Sequence, residues 1–347
     1  MAANADDHAV VIGISRYADV GADPPWITNL NGPDNDALAV ATWLKKDDGG
    51  GLPDGNVRMV RSADFPDPTN VGPQQKAVND EFTELQNLPT TTYNHQFTGR
   101  RLYVYVSGHG LASTLHEAAV ITAEAKRADP LHVLVTSWFD WFWYAARFTE
   151  YVLWVDTCAS RVPAGLLKPA PGPWRFGQDA GQAPRVVAFA AEFGKKAVEN
   201  PIDGEWHGVF TYVLLQALGG AGGTPVTTSS LQNYLHNSMT DLMTQTQLDD
   251  SGISRDAYFD SAAELEFAAP KLPEFPVRLQ FEAEAVGKRV TISFDASKVV
   301  FDDTVPAEKE LSVSLPAGFY VACLPELGRA QPFTVTGGGS DGVVAVH

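Results

Sequence analysis

Two stretches of the chain carry side chains able to do covalent chemistry. In YVYVSGHGLAS (103–113) an apolar run leads into Ser107-Gly108-His109-Gly110, and YVLWVDTC (151–158) ends on Cys158 with Asp156 two positions before it. Histidine takes up and returns protons near neutral pH. A cysteine thiolate is a strong nucleophile, but an unperturbed thiol is mostly protonated and needs a base beside it. Together they are the parts of an acyl transfer. Each alone has a plainer explanation, since a free cysteine at a strand end is usually a small core residue and a histidine in a glycine turn is usually just loop. The elements that position them must decide.

HAVVIGIS (8–15), NVRMVRS (56–62), RRLYVYVS (100–107), YVLWVDTC (151–158) and RVVAFAAE (185–192) are near-continuous apolar runs, as expected of strands covered on both faces. Helical patterns lie between and after them, at 34–46, 73–88, 137–148, 207–220 and 228–245. Asp34 is the expected cap of the first, and SWFDWFWYAARF is read as a core helix because it is too short and too charged to span a membrane. Strand alternating with helix predicts an α/β fold with a mostly parallel sheet. Such a sheet delivers every strand's last residues to one edge. If strands 100–107 and 151–158 are neighbours, about 4.8 Å apart, His109 and Cys158 arrive within reach of each other. The glycines around His109 let the backbone turn and leave room for a substrate. The backbone N–H groups of Gly110 and Cys158 are candidates for an oxyanion hole.

The 347 residues suffice for one large domain and a small companion. A net charge of −17 spread along the chain argues against nucleic-acid binding. The start, MAANADDHAVVIG, lacks the basic-then-apolar pattern of a secretory signal, so a cytoplasmic location with no membrane partner is expected. Two cysteines, Cys158 and Cys323, give neither a disulfide framework nor a metal-binding spacing. Cys323 lies in AGFYVACL with no histidine motif nearby and is read as core. From 269 the texture changes: APKLPEFP (269–276) reads as a linker between a domain at 1–268 and a small all-β sandwich at 277–347.

SGHG followed by a strand ending in Asp-x-Cys resembles the caspase-fold cysteine peptidases, in particular the metacaspase-like and prokaryotic caspase-like branch. VVIGISRY, the NLNGPDNDALAV segment and AVEN…HGVFTYVLLQAL are similar to further family segments, so the resemblance runs over roughly 8–265. It implies a caspase-like three-layer sandwich, a His109–Cys158 dyad, and an S1 pocket formed by Asp36, Ser107 and Asp156. Strand alternation independently points Asp156 the same way as Cys158, whereas Asp36 also reads as a helix N-terminal residue favoured by the dipole. Carboxylates gathered in one pocket would favour Arg or Lys at P1 and repel Asp. The expected function is a regulated cysteine endopeptidase acting on proteins or peptides after basic residues. The alternative is a catalytically silent caspase-fold scaffold.

The chain departs from the family pattern. Cys158-Ala159-Ser160-Arg161 stands where C-x-S-G is common, so Arg161 could occupy the acidic pocket, and Pro33 replaces a frequent cysteine. Residue 164 is alanine where a phosphatase loop needs arginine, which removes that reading. Lys126-Arg127 and Lys195-Lys196 are candidate self-cleavage points. The sequence demands no cofactor and shows no metal site. Because many relatives need Ca²⁺, Asp47-Asp48 and Asp249-Asp250 are candidate oxygen donors for calcium activation. The β module carries no binding signature and is a candidate site for a regulatory partner.

Overall fold

The five apolar runs become neighbouring strands of one sheet. The computed structural model describes residues 4–21, 26–67, 69–90, 97–170, 176–177, 179–261, 263–268, 274–294, 298–316, 318–335 and 343–346. The sheet consists of β1 (His8–Gly13), β2 (Val57–Arg61), β3 (Gly99–Gly108), β4 (Phe148–Thr157), β5 (Arg185–Phe189) and β6 (Tyr258–Ser261), in the order β6-β5-β4-β3-β1-β2. The first five are mutually parallel, and only the edge strand β6 runs antiparallel, against β5.

Alternation along β3 and β4 builds two cores, one on each face. Tyr103, Tyr105, Val152 and Trp154 point to one face, where they pack with apolar residues of α1 (Pro33–Lys45), α4 (Val209–Leu218) and α5 (Thr228–Ser238). Leu102, Val104, Leu153 and Val155 point to the other, against α2 (Gln75–Gln86) and α3 (Val135–Tyr144). This is a three-layer α/β sandwich. Pro33, whose missing N–H costs nothing at a first helical position, starts α1, and the glycines at 49–51 follow its end.

Several expected boundaries move. The aromatic helix ends at Tyr144 rather than 148, because the chain turns through Ala146 at φ 50° and Phe148 already belongs to β4. The helix expected at 207–220 starts at Val209, because Glu205–Gly208 pairs with Glu199–Ile202 in a hairpin. The long helix at 228–245 is instead α5, a 3-10 turn at Met239–Leu242 and a short helix at Gln245–Asp249. Gly32, not Asp34, occupies the cap position of α1; the Asp34 carboxylate accepts a hydrogen bond from Ala63 N. A second sheet, absent from the sequence reading, joins Gly110–Ala112, Ala119–Ile121, His132–Leu134 and Ser160–Arg161, runs of two or three residues too short to show a period.

The chain divides into two compact units, Met1–Pro270 and Lys271–His347. Of the expected linker, 269–273 lies outside the described residues. Its remainder is strand, since Glu274–Phe281 pairs with Glu310–Pro316 from Glu274 onward. Pro276 fits because Val343–Val346 pairs with the strand's other edge only at Arg278–Phe281. The second unit has a three-stranded and a four-stranded sheet whose inward residues, among them Val277, Leu279, Ile292 and Tyr320, share one core. Cys323 is not part of it. On Gly318–Leu324 the buried positions are Tyr320, Ala322 and Leu324, so alternation turns half-buried Cys323 to the opposite face.

Candidate active site

Strand pairing places the two reactive residues. Gly108 of β3 is the register partner of Thr157 of β4, so His109 and Cys158 are the next residues beyond the same rung. Gly108 takes φ +155°, which L side chains rarely adopt. Gly110 passes so close to the second strand end that a Cβ there would collide with the Cys158 carbonyl and Thr157 Oγ1. His109, Cys158, Asp36, Ser107, Asp156 and Glu199 line one cavity of about 160 Å³. A larger cavity of about 610 Å³ between α2 and α3 contains His132, but both its ring nitrogens are engaged, with Pro130 O and Lys168 N, and no cysteine lines it. The smaller one, which alone of the two holds both His109 and Cys158, is the candidate active site.

The histidine is held on three sides. Its backbone N–H donates to Tyr17 Oη (3.0 Å), whose ring packs on the imidazole at 5.0 Å, and Tyr17 Oη donates to Ile14 O. Nε2 lies 2.8 Å from Thr28 O. A carbonyl only accepts, so Nε2 carries the proton and Nδ1 of the neutral ring is left as the base. Burial lowers the His109 pKa. Burial also raises that of Cys158, whose thiol faces Ala197 O at 3.8 Å. Both shifts favour an uncharged thiol and imidazole at rest.

Asp156 and Asp36 sit on the face where β4 meets α1 and α4. Both are almost fully buried, at 5% and 1% exposure. Asp156 Oδ2 accepts from Thr211 Oγ1 (2.6 Å) and Thr211 N (3.2 Å), and Thr211 Oγ1 also meets Tyr105 Oη at 2.6 Å. Asp36 is bound by His207 Nδ1 (2.8 Å) and Gly208 N (2.9 Å). Asp36 thus already has a cationic partner available in His207. Burial, with the charge of Asp36 second, pushes Asp156 up to about 7. Burial raises Asp36 as well, while the bond to Asp36 raises His207. Ser107 is buried and is the register partner of Asp156 on the adjacent strand.

Thr28, Tyr17, His207, Thr211 and Glu199 were not assigned roles from sequence. Thr28 acts through its backbone carbonyl, which no side-chain motif records. His207, Thr211 and Glu199 lie in AVEN…HGVFT, a segment whose similarity was legible while its contacts were not. Arg161 does not enter the acidic cavity; its guanidinium lies over the Phe193 ring at 4.8 Å. The acidic turns do not fit a metal: Asp48 pairs with Lys46, Asp249 accepts from Gln245, and Asp250 accepts from Gly252 N. Among the described residues no three His, Cys, Asp or Glu are grouped to hold an ion. No helix of the described residues is long and apolar enough to cross a membrane.

Fold and site together define a three-layer α/β domain with an imidazole and a thiol at the ends of two adjacent parallel strands. No protein-family model matches the chain. In sequence it is similar to a protein named a probable protease from a Desulfuromonadales bacterium, 28% identical over 241 residues, which is 65% of this chain and 27% of that protein. The chain therefore spans about a quarter of that relative's length. Among solved structures it is similar to a Geobacter sulfurreducens protein (TM-score 0.44, 11% identity, 77% of this chain and 95% of the other). It is also similar to pro-sf-caspase-1 (TM-score 0.42, 12% identity, 75% and 89%).

Proposed function

We propose that the chain is a cysteine endopeptidase that cleaves peptide bonds on the carboxyl side of Arg or Lys, with Cys158 as nucleophile and His109 as general base and acid. The observation that carries this reading is the single cavity holding His109, Cys158 and the Asp36–Asp156 pair. Cys158 Sγ attacks the scissile carbonyl carbon while its proton passes to His109 Nδ1. The carbonyl oxygen becomes an oxyanion facing the N–H groups of Gly110 and Cys158. Collapse breaks the C–N bond, and the amine leaves with the proton from His109. Water, deprotonated by the same imidazole, then hydrolyses the thioester and restores the thiol. Asp156 favours a P1 cation because a neighbouring positive charge stabilises its ionised form against burial. The named protease similar to this chain supports the reaction class.

The deciding experiment is labelling with an arginine-directed acyloxymethyl ketone, followed by mass mapping. Modification of Cys158 in the wild type, lost in Cys158→Ala and His109→Ala, is expected. Arg-probe labelling that survives Cys158→Ala, or a wild type that takes no peptide probe, would end the reading. A positional-scanning peptide library run with and without Ca²⁺ tests P1 choice and calcium activation in the same plates. A cytoplasmic location and a regulatory partner on the β unit stand as proposals, testable by fractionation and by pull-down with residues 271–347 deleted.

A further inference from the structure

The polypeptide at 26–32 has no regular secondary structure, yet it supplies the Thr28 carbonyl that selects the His109 tautomer. One side of it is tied to the strand-end segment after β1, through Leu30 N to Ser15 O (2.9 Å) and Tyr17 N to Asn29 Oδ1 (2.9 Å). The other side is tied to a residue far along the chain. The Glu199 carboxylate accepts Asn31 N at 3.1 and 3.0 Å, Asn31 Nδ2 at 3.2 Å and Gly32 N at 2.8 Å. Gly32 is the cap residue of α1 and has no side chain with which to cap it. Glu199 performs that task from the hairpin, placing negative charge at the positive end of the helix.

The backbone leading into Glu199 belongs to the opposite wall of the site, since Ala197, two residues earlier, faces the Cys158 thiol through its carbonyl. The same hairpin closes on α1 at its far strand, where Trp206 O accepts Asn35 Nδ2 (3.0 Å) and His207 and Gly208 bind Asp36. The Glu199 side chain is therefore the bridge from the cysteine's wall to the histidine's loop, and it lines the cavity between them.

We propose that Glu199 is a positioning residue: it clamps the 28–32 segment so that the Thr28 carbonyl holds the His109 imidazole in its Nε2–H form, with Nδ1 free to act as base. The consequence for turnover rests on the proteolytic reading; the consequence for the imidazole does not. Glu199 touches no reacting atom in this role. Removing it loosens the loop, and the ring gains access to the Nδ1–H tautomer, in which the base position is blocked.

The test compares wild type, Glu199→Gln and Glu199→Ala in the full chain. Histidine ¹⁵N spectra assigned through His109→Gln should show one Nε2–H tautomer in the wild type and a mixture in Glu199→Ala. With an Arg-P1 peptide amide, Glu199→Ala should lose roughly 10- to 100-fold in kcat with KM within about threefold, the pattern of lost alignment rather than lost binding. Glu199→Gln, which keeps one acceptor for the Gly32 N–H, should fall between. Hydrogen exchange on the wild type adds a readout that needs no variant: the Asn31 and Gly32 amides should be protected although Asn31 is exposed. A fixed Nε2–H tautomer in Glu199→Ala, an unchanged kcat, or unprotected Asn31 and Gly32 amides would overturn the proposal. A wild type with no turnover and no labelling but a fixed imidazole would sink the proteolytic reading and leave the clamp standing.

Discussion

Replacing Asp156 with Asn separates what the carboxylate costs the fold from what it gives the site. Its pKa rises from 3.8 to about 7 on folding, because burial and the charge of Asp36 disfavour the anion. A carboxyl with a raised folded-state pKa binds its proton more tightly in the native than in the unfolded chain, so it erodes stability as pH climbs from about 4 to 7. At 1.36 kcal/mol per unit, full ionisation costs about 4 kcal/mol. Asparagine is uncharged throughout and keeps one oxygen for the two Thr211 donors, but its NH2 needs a partner, a pH-independent penalty of about 1–3 kcal/mol. The stability difference between variant and wild type should therefore move by about 4 kcal/mol in the variant's favour between pH 4 and pH 8. Loss of the charge beside Asp36 acts in the same direction. Urea unfolding across that pH range measures it. The same variant should lose roughly 10- to 150-fold in kcat/KM for Arg and Lys at P1, the worth of about 1.5–3 kcal/mol for a charge-assisted hydrogen bond, and little for an apolar P1. A stability difference that is flat with pH, together with an unchanged Arg-to-Leu preference, would refute both the buried-anion argument and the pocket assignment.

Other outcomes follow from the same geometry. Because burial raises the Cys158 thiol and lowers the His109 imidazole, iodoacetamide labelling of Cys158 should titrate above the ordinary cysteine range; a half-point well below it would mean a resting thiolate–imidazolium pair. Tyr17→Phe strips the acceptor from His109 N and the donor from Ile14 O and should cost about 1–3 kcal/mol in thermal or urea unfolding; an unshifted transition would show those bonds to be idle. Gly208→Ala drives a methyl into the Asp156 carboxylate, so basic-P1 cleavage should collapse while the Gly55→Ala control, with open space around it and no positive φ, keeps it in a kcat/KM comparison. Cleavage at Lys195-Lys196 should be absent from intact-mass spectra of the active enzyme, because Lys195 O, Lys196 N and Lys196 O are tied to Ala159, Gly252 and Ser254.

The sequence by itself determined the strands of the parallel sheet and, through them, the meeting of His109 and Cys158 at one edge. An apolar run long enough to be buried on both faces can end only at the sheet's edge, so Ser107-Gly108-His109 and Asp156-x-Cys158 were bound for one rim once the strands were neighbours. Alternation likewise gave Asp156 its side of the sheet. Tertiary structure alone decided the rest. The protonated nitrogen of His109 is selected by the carbonyl of Thr28, a group every residue possesses and no motif marks. Asp36 finds His207 across more than 170 positions, and the N-terminus of α1 is capped by Glu199 from a hairpin whose strands are too short to announce themselves. Local periodicity records which way a side chain faces. It does not record which distant backbone group closes the hydrogen bond that burial then requires.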